Sequence, residues 1–178
     1  GNVEIEKILN DHIPYISLPD AIREFFIRGK RSIVVTGTHG KTTTSSLISW
    51  SMEVNQKKPS FMIGGIPLNF NQGFKLDTGS MFIVEGDEYD TAFFDKAAKF
   101  FHYLPDIVIL NNIEFDHADI YESLDQIILA FRRLVNLIPR NGLLLACIDD
   151  VKVKELIRYA FSPVETFGLN PEATWCAK

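Results

Sequence analysis

Cysteine is scarce in this chain: only Cys147 and Cys176 occur, without C-x-x-C spacing. That excludes a disulfide framework and gives no zinc pattern, so both read as reduced, structural thiols. Long apolar runs are also missing. None approaches the roughly 18–20 residues needed to cross a bilayer, and no basic segment followed by an apolar stretch opens the chain. No membrane association is expected, and the cytoplasm is the expected compartment. Positive charge is dispersed: the densest stretch is Arg28-Gly29-Lys30-Arg31, and the formal net charge is −5, which argues against nucleic acid as a partner. There is no internal repeat, low-complexity tract or long linker. An initiator methionine is lacking as well. The chain starts Gly1-Asn2-Val3 and stops at Ala173-Thr174-Trp175-Cys176-Ala177-Lys178, which reads as the beginning of a strand. A fragment of a longer protein is therefore expected.

What the chain does have is core material. Of 178 residues, 46% are hydrophobic and 23% charged, the balance of a globular domain large enough to bury a real core. Short apolar runs alternate with helical periodicity. Residues 3–10 read as a helix, 14–17 as an extended piece, and Leu18-Pro19-Asp20 opens a helix through Ile27. Strands are then expected at 32–36, 60–63, 81–85, 106–110 and 143–147, and helices at 42–54, 123–137 and 151–160. Near-continuous apolar strands separated by helices imply an α/β fold, a mostly parallel sheet with helices on both faces. In such sheets ligands gather at the carboxyl ends of the strands. The irregular stretch 64–79, with glycines at 64, 65, 73 and 79, is a candidate ligand-covering segment.

Three polar clusters follow apolar runs. The first is Ile33-Val34-Val35-Thr36-Gly37-Thr38-His39-Gly40-Lys41-Thr42-Thr43, a strand entering a glycine-containing turn that starts a helix. Glycines allow backbone N–H groups to curl around phosphate oxygens, Lys41 supplies a mobile charge, and the Thr42 hydroxyl can hold Mg²⁺. The strict G-x-x-x-x-G-K-[ST] pattern would need glycine where Val35 stands, so the loop is a shortened G-T-H-G-K-T form. His39 lies within it and is a candidate phosphate contact. The second cluster is Glu85-Gly86-Asp87-Glu88-Tyr89-Asp90, after Met81–Val84. An isolated acidic turn of this kind is ordinarily a solvated surface feature. Beside a phosphate loop that needs a metal with hard oxygen ligands, Glu85 is the candidate ligand. The third, Asn111-Asn112-Ile113-Glu114-Phe115-Asp116-His117-Ala118-Asp119, follows 107–110. His117, flanked by Asp116 and Asp119, fits either a surface histidine or a ligand of a second metal.

These three motifs, in this order, resemble the central ATPase domain of the Mur ligases. The resemblance implies a P-loop NTPase-like fold and ATP with Mg²⁺ as cofactors. Gly37, Thr38, His39, Gly40, Lys41, Thr42 and Thr43 would bind the nucleotide, with Asn112 a further contact. Thr42, Glu85 and His117 would hold metal, and Lys41, Glu85 and His117 would carry catalysis. It also implies that residues 1–30 are the end of an amino-terminal UDP-binding domain and its connector, that 31–178 form the central domain, and that a carboxyl-terminal domain is absent. Segments 64–70 and 91–103 resemble members that join UDP-N-acetylmuramate to the murein tripeptide L-alanyl-γ-D-glutamyl-meso-diaminopimelate in cell-wall recycling, with Asn69 a possible substrate contact. Several members carry a carbamylated lysine where this chain reads Ala130-Phe131-Arg132-Arg133, so that device is expected to be missing. Two rivals stand beside this reading: a ligase that adds free L-alanine to UDP-N-acetylmuramate, and a phosphate-loop switch module. An Asn-Lys-x-Asp element for guanine is lacking, which argues against GTP. Peptide specificity and oligomeric state are not legible in these residues.

Overall fold

A computed structural model describes residues 1–115, 121 and 123–177. Its frame is one eight-stranded sheet. In chain order the strands are β1 (Arg31–Thr36), β2 (Ser60–Met62), β3 (Phe74–Lys75), β4 (Met81–Gly86), β7 (Pro105–Leu110), β8 (Leu143–Cys147), β9 (Val164–Gly168) and β10 (Trp175–Cys176). A separate antiparallel pair, β5 (Asp90–Ala92) and β6 (Asp95–Ala98), projects from the end of β4. The large sheet runs β10-β9-β8-β7-β1-β4-β2-β3, parallel except where β3 turns back antiparallel on β2. The α/β class expected from the sequence is the class found.

The strands at the centre need cover on both faces, and their sequences supply it. Ile33, Val34 and Val35 are all buried in β1, as are Phe82, Ile83 and Val84 in β4 and Val108 and Leu110 in β7. One face is covered by α4 (Leu124–Leu137) and α5 (Val151–Leu156). In α4 the buried residues Ile127, Ala130, Phe131, Leu134 and Val135 recur at helical spacing, and Ser123 caps the first turn by accepting from Gln126 N. The Phe131 ring packs 5.5 Å from Phe100, centroid to centroid, in the larger core cluster. Over the opposite face lies α3 (Lys41–Val54), which brings the small residues Ser45 and Ser49 to the sheet. Small side chains let the helix backbone come close to β1 and β4, and Ile48 and Met52 fill the flanks beside Ile33, Val35 and Ile83.

Of the first 30 residues, the stretch 17–27 packs on this body, whereas residues 3–10 bury no side chain. α1 (Val3–Asn10) is capped by Asn2, and α2 (Leu18–Ile22) by Ser17 with Pro19 in its first turn. Ile22 and Ile27 join the same cluster as Phe100 and Phe131. His102 sits between two carboxylates, with Nδ1 2.9 Å from Asp20 and Nε2 2.9 Å from Asp95. Its hydrogen bond to Asp20 joins α2 to the turn that follows β6, with Asp95 of β6 alongside.

Several expected boundaries move. The helix expected through Ile27 changes at Arg23 to a π-turn, Arg23–Ile27, closed by Arg28 N–H to Arg23 O. The wider turn delivers Ile27 into the core, a demand of packing that propensity does not contain. The helix expected over 151–160 ends at Leu156 and tightens to a 3₁₀ turn, Ile157–Tyr159. Residues 14–17 form no strand, and the stretch 64–79 contains β3. The pair β5–β6 and strand β9 were not among the expected strands. No helix among the described residues is long and apolar enough to cross a membrane.

Candidate functional site

Parallel pairing aligns the ends of β4, β1 and β7. Thr36, the last residue of β1, lies in register with Gly86 on one side and Leu110 on the other. The three polar clusters therefore emerge together at the carboxyl edge of the sheet.

The loop after β1 is shaped by two positive-φ glycines, Gly37 (φ 127°) and Gly40 (φ 81°). A Cβ on Gly37 would come within 2.9 Å of both the backbone N and O of Asn112, so that position requires glycine for space as well as for φ. Gly40 starts α3 in a left-handed conformation and offers no side-chain cap. The four other α-helices among the described residues are all capped by a side chain: Asn2, Ser17, Ser123 and Asp150. The leading N–H groups of α3 thus remain available to an anion, and the helix dipole favours one there.

The loop is braced from the segment after β7. Thr38 N donates to Asn112 O at 3.0 Å, and Glu114 N donates to Thr38 Oγ1 at 2.8 Å. His39 N donates to Asn112 Oδ1 at 2.8 Å, while the Asn111 and Asn112 amides both reach His39 O at 3.3 Å. Asp150, the cap of α5, accepts from Ile113 N at 2.9 Å and holds the bracing segment in turn.

Opposite the first turn of α3 stands Glu85. Its Oε2 accepts from the Thr42 hydroxyl at 3.1 Å, and its Oε1 accepts from Gly64 N at 2.8 Å. A hydroxyl and a carboxylate in contact are the hard-oxygen donors that Mg²⁺ takes along with phosphate oxygens and waters, so the pair fits that ion. Gly64 and Gly65 lie close to this pair. A Cβ on Gly65 would meet Thr42 Cγ2 at 3.1 Å. Lys41 Nζ donates to Gly37 O at 2.7 Å, to Thr38 O at 3.2 Å and to Glu88 Oε2 at 3.1 Å. Tyr121 donates its hydroxyl to Glu88 O at 2.8 Å; burial first, then the charges of Glu88 and Asp90, push that phenol up to about 12.

Gly37, Thr38, His39, Gly40, Lys41 and Thr42 thus converge with Glu85 and Asn112. His39 is exposed, its Nε2 3.6 Å from Glu114 Oε2, and its backbone is what the bracing engages. Asn112 acts on the loop, through His39 and Thr38. Thr43 is exposed on the first turn of α3, and Asn69 is exposed in the turn where Phe70 N–H meets Pro67 O. His117, with Asp116 and Asp119, lies outside the described residues. Sequence reasoning passed over Glu88 and Asn111 as individual contributors. The spacing of Glu88, three after Glu85, was a signal, but nothing in it said which carboxylate turns inward.

Residues 35–178 match the Mur ligase middle domain. The chain is 44% identical to the UDP-N-acetylmuramate–L-alanyl-γ-D-glutamyl-meso-2,6-diaminoheptandioate ligase of Escherichia coli K12, over 100% of this chain and 39% of that protein. It is 35% identical to a UDP-N-acetylmuramate–L-alanine ligase of Pelotomaculum thermopropionicum, over 98% of this chain and 36% of the relative. Among solved structures, the UDP-N-acetylmuramate:L-alanyl-γ-D-glutamyl-meso-diaminopimelate ligase from Neisseria meningitides superposes with a TM-score of 0.87 at 41% identity, over 94% of this chain and 57% of that one. A murein peptide ligase of Psychrobacter arcticus gives 0.83 at 32% identity, over 94% and 38%. The chain spans well under half the length of these curated relatives. By the match over most of its length, the chain belongs to the Mur ligase family, with residues 35–178 corresponding to its middle domain.

Proposed function

We propose that the protein carrying this chain is an ATP-dependent, amide-forming ligase of the cytoplasm. It joins UDP-N-acetylmuramate to L-alanyl-γ-D-glutamyl-meso-diaminopimelate in peptidoglycan recycling. The observation that carries the reading is the meeting of Thr42 with Glu85 beside the uncapped start of α3. The tripeptide is favoured over free L-alanine because the relatives of higher identity bear the name of the tripeptide reaction. In this reading residues 1–30 close an amino-terminal UDP-binding domain, and 31–178 form the ATP-binding domain.

In the proposed reaction the lactyl carboxylate takes the γ-phosphoryl of ATP. The alanyl amine of the peptide then displaces phosphate from the acyl phosphate, leaving amide, ADP and phosphate. Such a transfer asks the protein for position and charge stabilisation, and no nucleophilic side chain is needed. The N–H groups at the start of α3 and the Lys41 ammonium hold the phosphates. Thr42 and Glu85 hold Mg²⁺, with His117 proposed as a ligand of a second ion; the metal would neutralise phosphate charge. Asn112 keeps the loop in its curled form, and Asn69 is proposed to meet the substrate.

The test is ligation by the full-length protein, offered the tripeptide and free L-alanine in competition. Lys41→Ala is expected to abolish ligation while the circular dichroism spectrum is unchanged. Ligation retained in that variant overturns the reading. Preference for L-alanine replaces it with the alternative ligase. ATP turnover indifferent to both acceptor and UDP-N-acetylmuramate replaces it with a switch module.

A further inference from the structure

Glu88 is a carboxylate with 2% of its surface exposed, the most deeply buried acid among the described residues. Buried carboxylates persist when paired, and the ammonium of Lys41 is an ion-pair partner of this one at 3.1 Å. An ammonium has three protons to donate. Those of Lys41 go to Glu88, to Gly37 O and to Thr38 O. The cation that the loop would offer to a phosphate is thus turned back on its own loop, with every donor committed.

The carboxylate is the fixed member of the pair. On one side of its turn Gly86 O accepts the Thr36 hydroxyl at 2.7 Å, and on the other Glu88 O accepts the Tyr121 hydroxyl at 2.8 Å. Lys41 has four methylenes of reach, whereas the Glu88 backbone is held at both ends.

Resting on the reading of the loop as a nucleotide site, we propose that Glu88 is a positioning residue that parks Lys41, so that phosphate oxygens must replace the carboxylate as acceptor when nucleotide binds. Parking lowers the population of the loop competent to meet phosphate, and the apparent dissociation constant rises in proportion. A polyphosphate, which brings enough charge to compete with a buried carboxylate, is favoured over a monophosphate. Glu88→Gln keeps the shape and an acceptor oxygen but removes the charge, and so releases the lysine.

The experiment is a calorimetric titration of the full-length protein with ATP in four forms: wild type, Glu88→Gln, Lys41→Met and the double variant. Glu88→Gln is expected to tighten ATP about three- to tenfold when Lys41 is present, part of the worth of one charged hydrogen bond, and to change it by less than about twofold when Lys41 is methionine. AMP affinity is expected to move little in either background. Equal tightening in both backgrounds means general charge repulsion and overturns the proposal, as does an unchanged or weaker affinity in folded Glu88→Gln. Should that variant fail to fold, Glu88→Asp, which withdraws the charge by one methylene, is expected to tighten ATP by a smaller factor; no tightening there overturns the proposal. If Lys41→Met alone leaves ATP affinity untouched, the nucleotide-site reading itself fails, and the parking proposal with it.

Discussion

The Thr42 hydroxyl donates to Glu85 Oε2 at 3.1 Å, and this hydrogen bond joins the first turn of α3 to the end of β4. The contact follows from strand register: Val35 partners Glu85 in the parallel β1–β4 ladder, so the chain leaving β1 and the chain leaving β4 exit at the same height. Any chemistry that needs a helix start, a hydroxyl and a carboxylate together is available at that edge.

Gly37→Ala tests the shape of the loop. With φ at 127° and a Cβ only 2.9 Å from the backbone of Asn112, alanine is strained in both torsion and space. A loss of about 1–3 kcal/mol in denaturant unfolding is expected, together with weakened ATP binding. An alanine variant of unchanged stability and affinity contradicts the loop geometry.

Asn112→Ala tests the brace. Its carboxamide oxygen is the acceptor for His39 N–H at 2.8 Å, and its loss is expected to cost about 1 kcal/mol. Hydrogen exchange at the His39 and Gly40 amides should quicken, and ATP should bind several-fold more weakly. Exchange unaltered at those amides contradicts a bracing role.

The central strands were legible because each is a continuous apolar run. Val34 and Val35 have no polar neighbour until Thr36, and only a strand covered on both faces accommodates that. β9, Val-Glu-Thr-Phe-Gly, is half-buried throughout and shows neither a continuous nor an alternating pattern, so it was missed. The β5–β6 hairpin is three and four residues long and rests on tertiary contact. At the site, Lys41, Thr42 and Glu85 were legible as strand-end chemistry. Glu88 was not, since an acidic turn usually faces water. It is buried where it meets Lys41, forty-seven residues earlier in the chain, a pairing that no local pattern announces.

Acid should loosen the link between α2 and the turn that follows β6, made by Asp20 and His102. A hydrogen bond from Ser17 is the largest cause holding the Asp20 carboxyl below its ordinary value of 3.8; burial opposes it, and the charge and hydrogen bond of His102 and the charge of Arg23 add to the lowering. The unfolded chain therefore takes up this proton first as pH falls. The stabilisation is full above the ordinary value and is lost as pH drops through the lower folded one. Denaturant midpoints of wild type and Asp20→Asn are expected to differ at pH 7, to begin converging near the ordinary value of 3.8 and to meet only below the depressed folded value. A difference constant down to pH 3 contradicts this.

The central claim is that Thr42 and Glu85 hold the metal that accompanies ATP. It is tested most directly by titrating ATP into the full-length protein with and without Mg²⁺, for wild type and Glu85→Gln. Mg²⁺ is expected to tighten ATP in the wild type by about tenfold or more, and Glu85→Gln should lose most of that gain while keeping its metal-free affinity. A Glu85→Gln protein that retains the whole Mg²⁺ effect would contradict the account.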